Sequence, residues 1–352
     1  MRNTKIALAV LALVASTAAM AETTIYGALD LSVNKVTNGK TAIDGTGNWN
    51  GSIFGFKGSE DLEGGMKGFF NLEIGLNMSN GTQNNGGTTI SQAVVDNTAV
   101  TTVFNRLANV GVAGDFGTVT LGQQLNQFVA GSLGSNINAN ESFYVPMLLV
   151  AGGGGLTFGG DGVNNGGFFQ PNLITYGTPS MGGLSAAVQT QLRGNNNVNG
   201  ASAASDKMVA GSATYAAGPV AVTGAYLNRE ATSKAMSLGA TYNMGEITLN
   251  ARYFKFDTDP ATTTINTYNV GASYALNANN SVSLQYVKNN QTSAQSIVNL
   301  GLQHNLSKNT YLYVTASQAK NGALALYSQL HDTNITSSTS TTGYAVGIVK
   351  GF

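Results

Sequence analysis

From Glu22 onward the side chains alternate with a period of two rather than 3.6, and that period commits the chain to strands. Ile25, Leu29, Leu31 and Val33 share one face of the first segment, and Tyr26, Asp30 and Ser32 share the other. Phe70, Leu72 and Ile74 oppose Lys67, Asn71 and Glu73; Met236, Leu238, Ala240 and Tyr242 oppose Ser237 and Thr241; Val282, Leu284 and Tyr286 oppose Ser283 and Gln285. About sixteen such segments of roughly ten residues follow one another, the length a strand needs to cross a bilayer. The last of them carries Tyr344, Val346, Ile348 and Phe352 on one oily parity and ends on the phenylalanine. Aromatic girdles mark the edges of the apolar band in a membrane barrel, which assigns Tyr344 and Phe352 to membrane anchoring and assembly. A soluble sandwich with a C-terminal edge strand is the competing reading of that segment.

The start of the chain predicts export. Arg2 and Lys5 precede a short apolar core, Ile6 to Val14, and Ala19-Met20-Ala21 forms a cleavage site, so residues 1–21 read as a signal peptide and 22–352 as the mature domain. No other stretch approaches the ~18 uninterrupted apolar residues of a spanning helix. Charged residues make up only 10% of the chain, against about 25% in soluble domains, and there is no cysteine for disulfides or thiol chemistry. One oily wall and one wet wall average to such a composition. Removing Arg2 and Lys5 with the leader leaves 15 basic against 17 acidic residues, which gives no support to nucleic-acid binding.

The connections fix the orientation. Short links fall at Glu60–Gly65, Gly114–Gly117, Thr178–Gly183, Ala217–Gly218, Asn243–Gly245, Asn277–Asn280 and Ser307–Asn309. Long polar links fall at Lys35–Asn50, Asn77–Thr102, Asn126–Pro171, Arg193–Asp206, Asp257–Ile265 and Gln318–Thr342. Short periplasmic turns and longer extracellular loops are the barrel arrangement. Tyr176, Tyr215, Tyr242 and Tyr274 each precede a short link, as a periplasmic girdle would. No composition break marks a second domain. The fold class expected is therefore all-β, a transmembrane antiparallel barrel of about sixteen strands in the outer membrane of a Gram-negative bacterium, in contact with outer-membrane lipid and lipopolysaccharide. A barrel of that size leaves a water-filled lumen open to small hydrophilic solutes and ions.

Phe54-Gly55-Phe56-Lys57-Gly58-Ser59-Glu60-Asp61-Leu62-Glu63-Gly64-Gly65-Met66-Lys67 resembles the G-x-[KR]-G-S-E-D-L-x-G-G-x-K segment of beta-proteobacterial general-diffusion porins. Phe104-Asn105-Arg106-Leu107-Ala108 and Gly111 to Gly122 resemble that family's F-N-R-x-A and V-G-L-x-G-x-F-G-T-V-T-L-G segments, and Asn172 to Pro179 is a looser match to N-S-I-x-Y-x-S-P. The resemblance implies a homotrimer of sixteen-stranded barrels for passive diffusion, each narrowed by an inward-folded third extracellular loop, here roughly Asn126 to Pro171. It also implies basic wall residues facing acids on that loop.

By parity Lys57, Lys67 and Glu73 point into the lumen, Lys67 nearer the periplasmic mouth. Arg106 matches the family motif, yet its parity groups it with Ala108, Val110 and Val112, so either a bulge re-aims it or it sits at the outer rim. Glu141 and Asp161 are the loop acids available as counter-charges. Ile53 and Gln123 stand where the family carries arginines, which removes positive charge and predicts a weakly selective or mildly cation-preferring pore. His304 and His331 are the only histidines, no acidic or histidine cluster has metal spacing, and no nucleophile–base constellation is legible, so neither cofactor nor catalysis is expected. A barrel whose long loops bind an external partner is the alternative function; those loops are mostly Asn, Thr, Gly and Ser, with Trp49 the single tryptophan.

Overall fold

The computed structural model describes residues 22–37, 39–83, 93–95, 98–100, 103–133, 168–192, 207–229, 233–258, 264–290, 294–320 and 340–352. Sixteen long strands run through them: β1 Glu22–Val36, β2 Ile53–Asp61, β3 Lys67–Asn77, β4 Leu107–Gly114, β5 Gly117–Leu125, β6 Phe169–Gly177, β7 Leu184–Gln191 and β8 Met208–Ala217. The second half continues with β9 Val220–Arg229, β10 Ser233–Met244, β11 Ile247–Thr258, β12 Thr264–Asn277, β13 Asn280–Asn289, β14 Ser296–Ser307, β15 Thr310–Lys320 and β16 Thr341–Gly351. Each pairs antiparallel with its neighbours in sequence, and β1 pairs with both β2 and β16, so the sheet closes on itself. Closure satisfies every ladder group between strands, which a lipid surround demands.

Five hairpins at one end turn over only two residues, between β4 and β5, β8 and β9, β10 and β11, β12 and β13, and β14 and β15. Gly218 (φ 56°) and Gly245 (φ 66°) take the left-handed backbone two of these turns need. All seven connections at this end are short, as the alternation of link lengths predicts. At the other end the links expected to be long fall there, although the one at Asp257–Ile265 leaves only five residues between strands, and two further links are short: three residues separate β9 from β10 and six separate β13 from β14. Those two were hidden in the sequence because a tight return looks the same at either end of a barrel.

Between its two rims the outward parity is apolar around the wall. Leu238 is 60% exposed and Val346 58%, with Leu284, Leu300, Val270 and Val314 exposed beside them. A water-facing surface would not carry so continuous an apolar band; hydrocarbon surrounds it. Tyr176, Tyr215, Tyr242 and Tyr274 ring the short-turn end on this face, and Tyr226, Tyr268, Tyr286 and Tyr344 ring the other.

Phe352 closes the seam on the outside. Its backbone exchanges two 3.1 Å hydrogen bonds with Gly27 of β1. Its ring lies over Gly27, where a Cβ would come within 2.5 Å of Cζ, and 6.3 Å from the Phe54 ring. Only glycine leaves that ring its seat. Deleting Phe352 removes both bonds, each worth ~1 kcal/mol net, and the heat-modification midpoint of the folded barrel on electrophoresis should fall; an unchanged midpoint would contradict the seam role.

Candidate functional site

The inward parity is polar and lines a lumen. On β1 to β4 it presents Tyr26, Lys57, Asn71, Glu73 and Asn109, brought level by the register Thr24↔Lys57, Gly55↔Glu73 and Asn71↔Asn109. Tyr26 donates its hydroxyl to Glu73 Oε2 (3.0 Å), and Asn71 bonds Asn109 (2.9 Å). Lys57 stands exposed with its Nζ 5.3 Å from the Tyr26 ring centroid, a cation–π distance, and no acid pairs with it among the described residues. Lys67 also points inward, at the short-turn mouth, where its Nζ lies 3.3 Å from Asp61 with both side chains exposed.

Arg106 is not at the outer rim. Strand β4 begins at Leu107, so the outward parity of Ala108 and Val110 does not extend back to it. The approach is held by Arg106 N to Glu73 O (3.1 Å), Gly75 N to Asn105 Oδ1 (2.8 Å) and the Gln123 amide on the carbonyls of Phe104 and Arg106 (3.3 and 3.4 Å). The guanidinium therefore swings inward, donates from Nε to Glu73 Oε1 at 2.6 Å and lies 4.3 Å from the Phe169 ring centroid. With side chains 18% and 8% exposed, this ion pair is poorly screened and holds its two charges as one neutral unit.

Gln123 does not line the lumen: it pairs with Ala108, on the parity of Val110 and Leu121, and its amide is spent on backbone. Ile53 does sit on the inward parity, opposite Ala28. Glu141 and Asp161 lie outside the described residues.

Two features stand inside the wall, the first without a counterpart in the sequence reading and the second at the start of the segment expected to fold inward. The first extracellular loop turns inward. Asp30, fully buried on β1, accepts hydrogen bonds from Trp49 N (2.7 Å), Asn50 N (2.8 Å) and the Tyr313 hydroxyl (2.7 Å). Trp49 stacks on Tyr313 with centroids 5.0 Å apart and donates its indole N–H to Gln303 (3.2 Å). Tyr313 in turn covers Gly347, where a Cβ would meet its ring at 2.4 Å.

The second feature is a short helix, α1 (Gln127–Leu133), capped by Asn126, whose Oδ1 accepts the Phe128 N–H (2.8 Å). It lies against the inward residues of β8 to β10. Phe128 and Val129 are buried among Leu173, Met208, Ala210 and Leu227, and the Ser132 and Ser237 hydroxyls are 2.9 Å apart. A Cβ on Gly131 would fall 2.5 Å from that of Ser212, so the close approach needs glycine. The long segment after β5 thus enters the barrel at its start; of the rest, residues 134–167 are outside the described set. Beside α1, Arg252 is buried and bonds Ser237 Oγ (3.1 Å), and Arg229 is buried on β9. Both stand on the inward parity opposite the oily one, a signal that was available for Arg252 and Arg229 without any motif.

A closed sixteen-stranded sheet, apolar outside and polar inside, with loops folded into its lumen, defines a channel-forming protein of the outer membrane. Residues 7–324 match the Gram-negative porin family, and the chain belongs to it. It is an outer-membrane porin whose barrel encloses a diffusion channel. It is similar to outer membrane porin protein 32 of Delftia acidovorans, at 30% identity over the whole of both chains. Among solved structures it resembles an anion-selective porin from Comamonas acidovorans (TM-score 0.73, 24% identity, 95% of this chain and 100% of that one). It also resembles the outer membrane protein OmpT of Vibrio cholerae in its trimer form (TM-score 0.63, 12% identity, 94% and 99% covered).

Proposed function

We propose that the pore is weakly charge-selective and that the chain works, after loss of residues 1–21, as a homotrimer seated in lipopolysaccharide and outer-membrane lipid. The start of the segment after β5, residues 126–133 with α1, narrows each channel from inside, and the barrel passes small hydrophilic solutes and ions without catalysing a reaction on them. The observation that carries weak selectivity is the pairing of the inward charges on β2 to β4, where Arg106 with Glu73 and Lys67 with Asp61 each cancel and Ile53 adds none, while Arg229 and Arg252 on the far wall are buried away from the ion path. Lys57 is the exposed inward cation left over on this wall. The trimer is supported by the trimeric form of a structural neighbour, and a charge preference of some size by the anion-selective one.

The test is reconstitution in a planar bilayer under a salt gradient. A unit charge ~7 Å from the ion path in water is worth about 0.6 kcal/mol, a factor of about three in local ion concentration. The anion-to-cation permeability ratio should therefore lie within about threefold of unity, with conductance arriving in threes. Lys57→Gln should move the ratio toward cations by a similar factor. Strong selectivity of either sign, unmoved by Lys57→Gln, would overturn the reading, and so would a folded barrel that does not conduct.

A further inference from the structure

The outer wall carries its charge unevenly. At the long-loop end, on the outward parity, stand Lys35 on β1, Lys234 on β10, Lys255 on β11, Lys288 on β13 and Lys320 on β15. Among the described residues of these strands the outward acid at that level is Asp257, and it is paired with Lys255 at 3.0 Å. At the short-turn end acids outnumber cations: Glu63, Asp115 and Glu246 stand in the turns against Lys308, and Glu60 and Lys350 are the outward strand charges. The register concentrates the first group. Tyr268, Lys288, Ser296 and Lys320 are direct partners in one row across β12 to β15. With strands ~4.8 Å apart, the two lysines stand about 10 Å from each other with the serine hydroxyl between them. Both are exposed, and no acid pairs with either among the described residues. Directly below them on the same parity lie Tyr286, Val298 and Gln318, then Leu284 and Leu300, which are apolar-band residues.

We propose that the row Tyr268–Lys288–Ser296–Lys320 is a docking site for a phosphate of lipid A, the anionic anchor of lipopolysaccharide, with an acyl chain along Val298 and Leu300. The inference rests on lipopolysaccharide being the lipid partner and names where it binds. Three features select this occupant. Lysines at this height snorkel to the headgroup level, where an ammonium is stabilised by phosphate and not by hydrocarbon. The tyrosine beside them sits at the interface, its ring against acyl chains and its hydroxyl in the headgroups. The site is on the end with the long loops, which faces the outside and therefore the leaflet built of lipopolysaccharide. The opposite rim, acidic at its turns, faces the phospholipid leaflet.

The mature chain in detergent is titrated with bis-phosphorylated lipid A, with dephosphorylated lipid A and with phosphatidylglycerol, and bound lipid is counted by native mass spectrometry. Bis-phosphorylated lipid A should bind most tightly, and Lys288→Gln with Lys320→Gln should weaken it about tenfold or more. The arginine pair at the same positions should retain it, and Lys350→Gln at the far rim should leave it unchanged. Equal binding by the double glutamine variant, or equal binding of dephosphorylated lipid A or phosphatidylglycerol by the native chain, overturns the proposal. The same variant preparations are tested for conductance. Full conductance with weakened lipid binding supports the site, whereas a native chain that binds lipid A but does not conduct would overturn the pore reading and leave the site standing.

Discussion

Replacing Asp30 with alanine is expected to release the first extracellular loop from the lumen, and Trp49 will report it. Three donors converge on this one buried carboxylate, two of them consecutive backbone N–H groups of the loop and the third the Tyr313 hydroxyl. Hydrogen bonds to a charged acceptor contribute about 1.5–3 kcal/mol each net, and three on one acceptor are not additive, so about 3 kcal/mol or more is at stake. The alanine leaves all three donors buried and unmade. The loop also bonds the wall through Asn48, which donates to Ser32 and Asn34 (2.7 Å each), but those contacts do not fix the indole against Tyr313. Trp49 is the single tryptophan of the chain, so its fluorescence carries no background. Asp30→Ala should shift the emission to the red and raise quenching by acrylamide. Asp30→Asn keeps an acceptor oxygen and should lie between. An Asp30→Ala protein with native emission and quenching would sink the latch.

This latch also shows where reading the sequence stops. Asp30 is legible as an inward residue from alternation alone, and so are Lys57, Glu73, Ile53 and the oily face of β16, because a period of two admits one answer once one face is known. What Asp30 holds is not legible. Trp49 sits among Asn, Gly and Ser in a segment that reads as exposed loop, and its partners Tyr313 and Gln303 lie more than 250 residues away. Arg106 and Gln123 fail for a different reason: parity counts only inside a strand. Arg106 precedes β4, and its motif said nothing about the Glu73 carbonyl that turns it inward. Gln123 is inside β5, and there parity contradicts the motif's assignment to the lumen. Gly122 before it takes φ 119°, a backbone value that residue identity hinted at but did not orient. Arg252 was legible and was passed over because no motif surrounds it.

Neutralising Glu73 should have the largest effect on selectivity, and its direction separates a paired Arg106 from an independent one. Glu73→Gln keeps one oxygen for Arg106 Nε and turns its amide NH2 toward the Tyr26 hydroxyl, which then accepts instead of donating, so the wall geometry survives while the compensating charge is gone. Arg106 then presents a full positive charge, and the permeability ratio under a salt gradient should move toward anions by about threefold in water and further where the lumen is narrow. Arg106→Gln should move it the opposite way, and it strands a nearly buried carboxylate at a cost of up to about 3 kcal/mol. The double variant decides the matter. If the two charges act as one neutral unit, removing both returns the reversal potential close to the native value, and the two single shifts cancel. If Arg106 instead sets the selectivity on its own while Glu73 is a bystander, Glu73→Gln leaves the potential unmoved and the double variant coincides with Arg106→Gln. A channel that behaved in that second way would have Arg106 acting beside Lys57 in its charge filter, and the pairing seen on the wall would be positioning the guanidinium rather than cancelling it.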